Sequence, residues 1–393
     1  MTGHFAPGRG GVERFTTEII RRLPSDQVVL AAPGDAATEG SDRQLPYPVY
    51  RYGRKVFANP TLPAALAAIA DRHDCQAAWI TSGLPLGVVA PALRRAGVRR
   101  IVVSTHGLET GWAGWKVAAA ALRRATQHVD VVTYLGRYTR DALSPALAPS
   151  VEPRQLAGGV DTGRFSPAMA RPELREELGL ADRRVIVSAS RLVRRKGQDR
   201  LLRAWPALLR RHPDAALLVV GDGHLRPALE RLTRRLRLVP HVRFVGSVAD
   251  EQLAQYLALG ELFAMPCRTM WWGMQVEGLG LSILEASATG LPVVVGRSGG
   301  APDALIDGHT GVVVDDWSAD GLATLLGGLL DDPVRLEQMG VNGRSWVEDR
   351  WSWEDAADRL AGYLHGSVSV APSATGCRAA SDATPFVDDR GCG

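Results

Sequence analysis

Lysine is almost missing from this chain. Of 46 basic residues in 393, only Lys55, Lys116 and Lys196 are lysines, and the rest are arginine. Cysteine is nearly as scarce: Cys75 and Cys267 stand alone, Cys377 and Cys392 lie near the C-terminal end, and none has the spacing of a zinc finger or a redox CxxC. A cysteine-held metal and a structural disulfide are therefore not expected. No apolar run reaches the roughly 18 residues that span a bilayer. The opening MTGHFAPGRGG has neither the charged leader nor the apolar segment of a signal peptide, which predicts a cytoplasmic protein. Excess charge is lacking too, since a net +4 is too small to argue for a nucleic-acid partner.

What is present is apolar material for a globular core, 46% of the residues, over a length that predicts two domains. Strands are expected over 27–32, 77–81, 100–105 and 129–134, and a second series over 184–189, 215–220, 241–245, 262–265, 292–295 and 311–314. Helical stretches such as 11–22, 62–72, 197–211, 225–237 and 321–330 separate them. Short buried strands alternating with helices predict α/β architecture, parallel sheets covered on both faces. Gly, Asp, Ser and Pro concentrate in GGVDTGRFSP, placing a boundary between a domain over 1–160 and another over 161–349. A last helix within 350–366 is expected to pack back on the first domain. Residues 367–393 have few large apolar side chains and read as a disordered tail, dispensable for melting temperature and activity. Only seven residues precede the turn at Gly8, so the first strand is expected to be short or the start to be late; the second is favoured, because a central strand is hard to omit.

Four constellations carry chemistry. Gly8-Arg9-Gly10-Gly11 opens a helix, where backbone N–H groups at Gly10 and Gly11 and the helix dipole suit a phosphate; a plain turn before a helix is the equal alternative. Ser190-Arg191-Leu192-Val193-Arg194-Arg195-Lys196-Gly197 follows a strand, so Arg191 and Lys196, five apart at its C-terminal end, can converge on one diphosphate. A solvated basic loop is the bland reading, and a lysine kept inside an arginine-rich run weighs against it. Glu277-Gly278-Leu279-Gly280-Leu281 places a carboxylate in a glycine loop before a helix. Amides at Gly280 and Leu281 would face a diphosphate, Glu277 would accept from a sugar hydroxyl, and Glu285 would reach a ribose. Finally, His106 ends a strand in Ser104-Thr105-His106-Gly107, where it could touch a sugar or merely cap the strand.

The order GRGGVERF, STHG, GGVDTGRFSP, SRLVRRKGQD, VVGDG, FVGSVAD, EGLGLSILEASATGLPVV and GRSGGAPD resembles family-four glycosyltransferases up to about Gly366. Within them, the STHG and SRLVRRKGQD stretches are most similar to actinobacterial phosphatidylinositol monomannoside mannosyltransferases. The resemblance implies the GT-B fold, two Rossmann-like domains facing across a cleft. It implies that Glu277 and Glu285 are the family's two glutamates, Arg191 and Lys196 its diphosphate pair, Gly11 its phosphate glycine and His106 its sugar-facing histidine. Val248 and Asp250 would lie where the base is read. His106, Arg191, Lys196 and Glu277 would form the catalytic set. GDP-mannose is the implied donor and a lipid hydroxyl the implied acceptor. The chain departs from the pattern in its short first strand and in the run Met270-Trp271-Trp272-Gly273-Met274.

No Asp-x-Asp ends a strand, so no metal and no cofactor are expected; Arg191, Lys196 and a helix N-terminus would stabilise the leaving diphosphate. No protein nucleophile is apparent, and by family analogy retention follows from same-face attack. A soluble acceptor, or a nucleotide-sugar-binding protein without turnover, are the standing alternatives. An NAD-dependent oxidoreductase is disfavoured, since no full GxGxxG follows a strand. Arg51, Arg54 and Lys55, among Tyr50, Tyr52 and Phe57, suit contact with an anionic membrane or an ordinary solvated loop. Lys196, as a loop cation, is expected to be replaceable without loss of stability.

Overall fold

The computed structural model describes residues 1–2, 11–34, 42–53, 59–81, 86–271, 273–315 and 318–366. Gly10, Arg54, Lys55, Phe57, Trp272 and the expected tail lie outside the described residues. Every strand pairing between the described strands is parallel. In the first half β1 (Leu30–Pro33) pairs with β2 (Val49–Tyr52), and β3 (Ala77–Ile80), β4 (Arg100–Ser104), β5 (Val131–Tyr134) and β6 (Glu152–Gln155) form a second sheet in that order. Met1 and Thr2 lie between the two sheets: the Thr2 amide donates to Ala31 at 2.9 Å, and Met1 accepts from the Thr81 amide at 3.0 Å. The two residues hold the place of a central strand.

The second half carries six strands: β7 (Arg184–Ala189), β8 (Ala215–Val220), β9 (Val242–Gly246), β10 (Leu262–Met265), β11 (Val293–Gly296) and β12 (Gly311–Val314). Their order β12-β11-β10-β7-β8-β9 reverses direction beside β7, the switch point where a ligand crevice forms outside the strand ends. β8 is buried along its whole length, as a strand covered on both faces must be.

Two strands lay outside the expected series. β6 reads Glu-Pro-Arg-Gln, polar and proline-containing; it occupies a sheet edge, where a missing N–H is tolerated. β2 is the Val-Tyr-Arg-Tyr segment of the basic-aromatic cluster, and here the structure corrects the membrane reading of Arg51, while Arg54 and Lys55 lie outside the described residues. Arg51 turns inward, donating to Asp42 at 2.8 and 2.6 Å and to the Pro33 carbonyl at 2.8 Å. Tyr50 bonds His73 and Tyr52 bonds the Thr2 carbonyl. Extended alternation, read as a surface cluster, instead ties β2 to its neighbours.

The helix Trp353–His365 contacts the helix Gly11–Ile20 together with β3 and β4, so the chain's last described element covers the β3–β6 sheet of the first domain. Trp353, Leu360, Phe15, Trp79, Val102 and Val131 share one core there. The chain crosses between domains twice, at 156–165 and near Trp351, and the crossings run side by side: the Val160 amide donates to the Trp351 carbonyl at 2.8 Å. At Gly159 an added Cβ would stand 2.4 Å from the Trp353 nitrogen and 2.5 Å from the Ser352 carbonyl carbon. Gly159→Ala is therefore expected to lower stability by roughly 1–3 kcal/mol, as overpacking does. Gly328→Ala, in a helix with open space around the position, should hold or raise it. Calorimetry of the two variants checks the contrast.

Candidate active site

A cavity of about 840 Å³ opens between the halves, lined from the first by Gly11, Phe15, His106 and Glu109 and from the second by Ser190 to Lys196 and Met270 to Ser282 in part. The two walls touch backbone to backbone where Gly107 meets Gly278, and a Cβ on Gly278 would stand 2.8 Å from the His106 carbonyl. Asp303 of the second domain accepts from the Tyr138 amide at 3.2 Å, capping the helix Arg137–Leu143 of the first.

The segment leaving β7 turns at Gly197, whose φ of 85° admits glycine readily; a side chain there would collide with the Pro266 carbonyl. That turn buries Lys196, whose Nζ lies 2.8 Å from Glu277 Oε2. Arg195 donates to the same oxygen. Burial pushes the Glu277 pKa up, but the charges of Lys196 and Arg195 and their hydrogen bonds outweigh it. The carboxyl is held below the usual carboxylate range. Arg191 is exposed on the cavity wall, and its guanidinium has no ion-pair partner among the described residues. Beneath the site, burial first and the Glu277 charge second push the Cys267 thiol up to about 12, so it stays protonated and inert.

Gly280, at φ 90°, opens the helix Leu281–Ala288, and its N-terminal end faces the cavity through Leu281 and Ser282. One turn on, buried Glu285 pairs with Arg14 from the first domain. Burial opposes the Arg14 charge, and Glu285, followed by Asp250, more than restores it. On the opposite wall the His106 ring stands edge-on to Phe15 at 5.0 Å, with Nε2 2.8 Å from the Thr81 carbonyl.

The structure thus brings Gly11, His106, Arg191, Lys196, Glu277, Gly280 and Leu281 to one cavity, with Glu285 behind it on the same helix. Val248 and Asp250 do not line it. Val248 is half-buried against the second-domain core and Asp250 is exposed, with its carbonyl bound by Arg164. Three residues of the site were not singled out from sequence: Arg195 on Glu277, Glu109, which accepts from the His106 amide at 3.1 Å, and Arg14 on Glu285. Arg195 adjoins Lys196 and was within reach of the motif. Arg14 and Glu285 are 271 positions apart, and no local pattern pairs them.

Two parallel α/β domains that close cations, a buried glutamate and a helix N-terminus around one cavity define a glycosyltransferase of the GT-B fold. Family models agree along the chain: "Glycosyltransferase Family 4" matches residues 9–164 and "Glycosyl transferases group 1" residues 170–346. A GDP-mannose-dependent alpha-(1-6)-phosphatidylinositol monomannoside mannosyltransferase of Mycolicibacterium smegmatis is 44% identical, over 93% of this chain and 97% of the relative. A GDP-mannose-dependent monoacylated alpha-(1-6)-phosphatidylinositol monomannoside mannosyltransferase of Corynebacterium glutamicum is 37% identical, over 93% and 96%. Anabaena Alr3699/HepE in complex with UDP has the same fold, with a TM-score of 0.79 at 22% identity over 92% of this chain and 98% of that one. The chain belongs to the family-four, group 1 glycosyltransferases.

Proposed function

We propose that the chain transfers mannose from GDP-mannose, with retention, to a hydroxyl of a phosphatidylinositol-mannoside-type lipid at the inner face of the membrane. The observation that carries this is the convergence of Arg191, Lys196, Glu277 and the 281–288 helix on one cavity. The substrates named for the two mannosyltransferases above narrow the sugar and the acceptor. In this reading the bond from the sugar's anomeric carbon to the diphosphate breaks while a bond to the acceptor oxygen forms on the same face. The acceptor proton passes to the departing phosphate. Arg191, Lys196 and the Gly280 and Leu281 amides stabilise the charge that grows on that leaving group. Glu277, held ionised, accepts from a sugar hydroxyl; His106 faces the sugar from the other wall, and Glu285 takes the ribose.

Because cations of the chain itself stand at the diphosphate end, no divalent metal is needed. Among the described residues no helix is long and apolar enough to cross a membrane, so the lipid would be met at the surface. With mannose-labelled GDP-mannose and a phosphatidylinositol monomannoside, label is expected in the organic phase, undiminished by EDTA. Loss in EDTA restored by magnesium or manganese would overturn the metal-independent step. Transfer only to a water-soluble alcohol would replace the lipid acceptor.

A further inference from the structure

A carboxylate taken out of water needs a partner. Buried Glu285 finds none on its own domain: among the described residues its carboxyl oxygens meet one side chain, Arg14, which reaches across from the helix Gly11–Ile20 of the first domain. Arg14 Nη1 donates to Oε1, and no hydrogen bond among the described residues uses Oε2. An ionised carboxylate accepts at both oxygens, so half of this group's capacity is unused. The guanidinium is held in turn. It stands over the Phe165 ring, 5.6 Å from the centroid, and only 18% of the Arg14 side chain is exposed.

The pair stands at one end of the catalytic cavity. Gly11, Val12 and Phe15 line that cavity from the first domain, and Leu281 and Ser282 from the second. Arg14 is three residues past Gly11 and Glu285 three past Ser282, so each lies one turn beyond the wall on its own helix. The Gly280 and Leu281 amides take the diphosphate in the proposed reaction, and the ribose joined to it brings two vicinal hydroxyls toward the pair. A hydroxyl donates readily to an unused carboxylate oxygen. Glu277 is oriented by Lys196 and Arg195 from its own domain and does not depend on the facing one. Glu285 does.

We propose that Arg14 is a positioning residue that sets specificity for the donor's ribose: by fixing Oε1 of Glu285 it aims Oε2 at a ribose hydroxyl, and it does so only while the two domains are closed. The proposal rests on the reading of Glu285 as the ribose carboxylate and extends it to the opposite wall. A guanidinium suits the task better than an ammonium, because its planar fork fixes a carboxylate's orientation where a point charge does not.

Titration calorimetry of the full chain with GDP and with its 2′,3′-dideoxy form tests it. The parent is expected to bind GDP roughly 10- to 100-fold more tightly than the dideoxy nucleotide, the size of hydrogen bonds to a charged group. In Arg14→Gln that ratio should fall to about threefold or less, mostly through weaker GDP binding, and in Arg14→Lys to an intermediate value. The ratio carries the test, because a general loss of structure weakens both ligands alike. A parent-like ratio in Arg14→Gln would overturn the proposal while Glu285 keeps its role; should that variant not fold, a parent-like ratio in Arg14→Lys does the same. A parent that binds both nucleotides equally would remove Glu285 from the ribose, and the proposal with it. A chain that takes UDP in place of GDP would overturn the guanine donor alone, and UDP against its 2′,3′-dideoxy form would then put Arg14 to the same test.

Discussion

Lys196→Ala is expected to lose turnover by about 100-fold or more and to lower the melting temperature as well. In the proposed mechanism the first effect follows from removing a preorganised cation beside the leaving diphosphate. The second departs from the expectation for a loop lysine. Lys196 is only 7% exposed and sits against Glu277, itself 6% exposed, so truncation strips a partner from a buried charge. Breaking a buried pair outright costs roughly 3–5 kcal/mol. Arg195 still holds the same oxygen, so a loss of about 2 kcal/mol is the reasonable size. Lys196→Ala combined with Glu277→Gln should recover much of the melting temperature and none of the turnover. Calorimetry alongside initial rates separates the two effects, and full stability in the single variant would show that the pair contributes nothing to the fold.

Glu277→Gln carries the second large effect. The amide keeps the shape but cannot accept from two cations as a carboxylate does, and turnover should fall by about 100-fold or more. Its signature in stability is a dependence on pH. The folded carboxyl titrates below its unfolded value, so its contribution is fully present above the unfolded pKa near ~4.3 and is lost as pH falls through the folded value. Acid unfolding followed by circular dichroism should thus be steeper below about pH 4 in the parent than in Glu277→Gln. Equal slopes would mean that this carboxyl is not held below its usual range.

Local pattern made most of this architecture legible. The strands Arg184–Ala189, Ala215–Val220 and Leu262–Met265 fall where buried β-branched and apolar runs predicted them, because a strand covered on both faces writes its burial into consecutive residues. β6 did not, since an edge strand need not be apolar. Val49–Tyr52 failed differently: its aromatic and basic side chains carry the alternation of a strand, and their partners, His73, Asp42 and Thr2, lie elsewhere in the chain. In the site, residues clustered in one loop could be read together, as Arg191 and Lys196 were. The carboxylate partners supplied across the cleft or across the loop, by Arg14 and Arg195, depend on tertiary closure. Asp250 is a case of the same kind: it does not line the cavity, yet its charge acts on Arg14 from across the domain boundary, a relation no local spacing shows.

The crossing at Gly159 and Trp351 has a bearing on how the protein is made. The β3–β6 sheet of the first domain keeps one face, with Trp79, Val102 and Val131, and the helix Gly11–Ile20 keeps Phe15, for a helix that ends at His365. Between β6 and that helix the whole second domain must be synthesised, an interval of roughly 10–40 s at bacterial elongation rates of about 5–20 residues per second. For that time the nascent first half presents bare aromatic surface to the cell. Native-like protease resistance of the first half is therefore expected to arrive only when the last helix does.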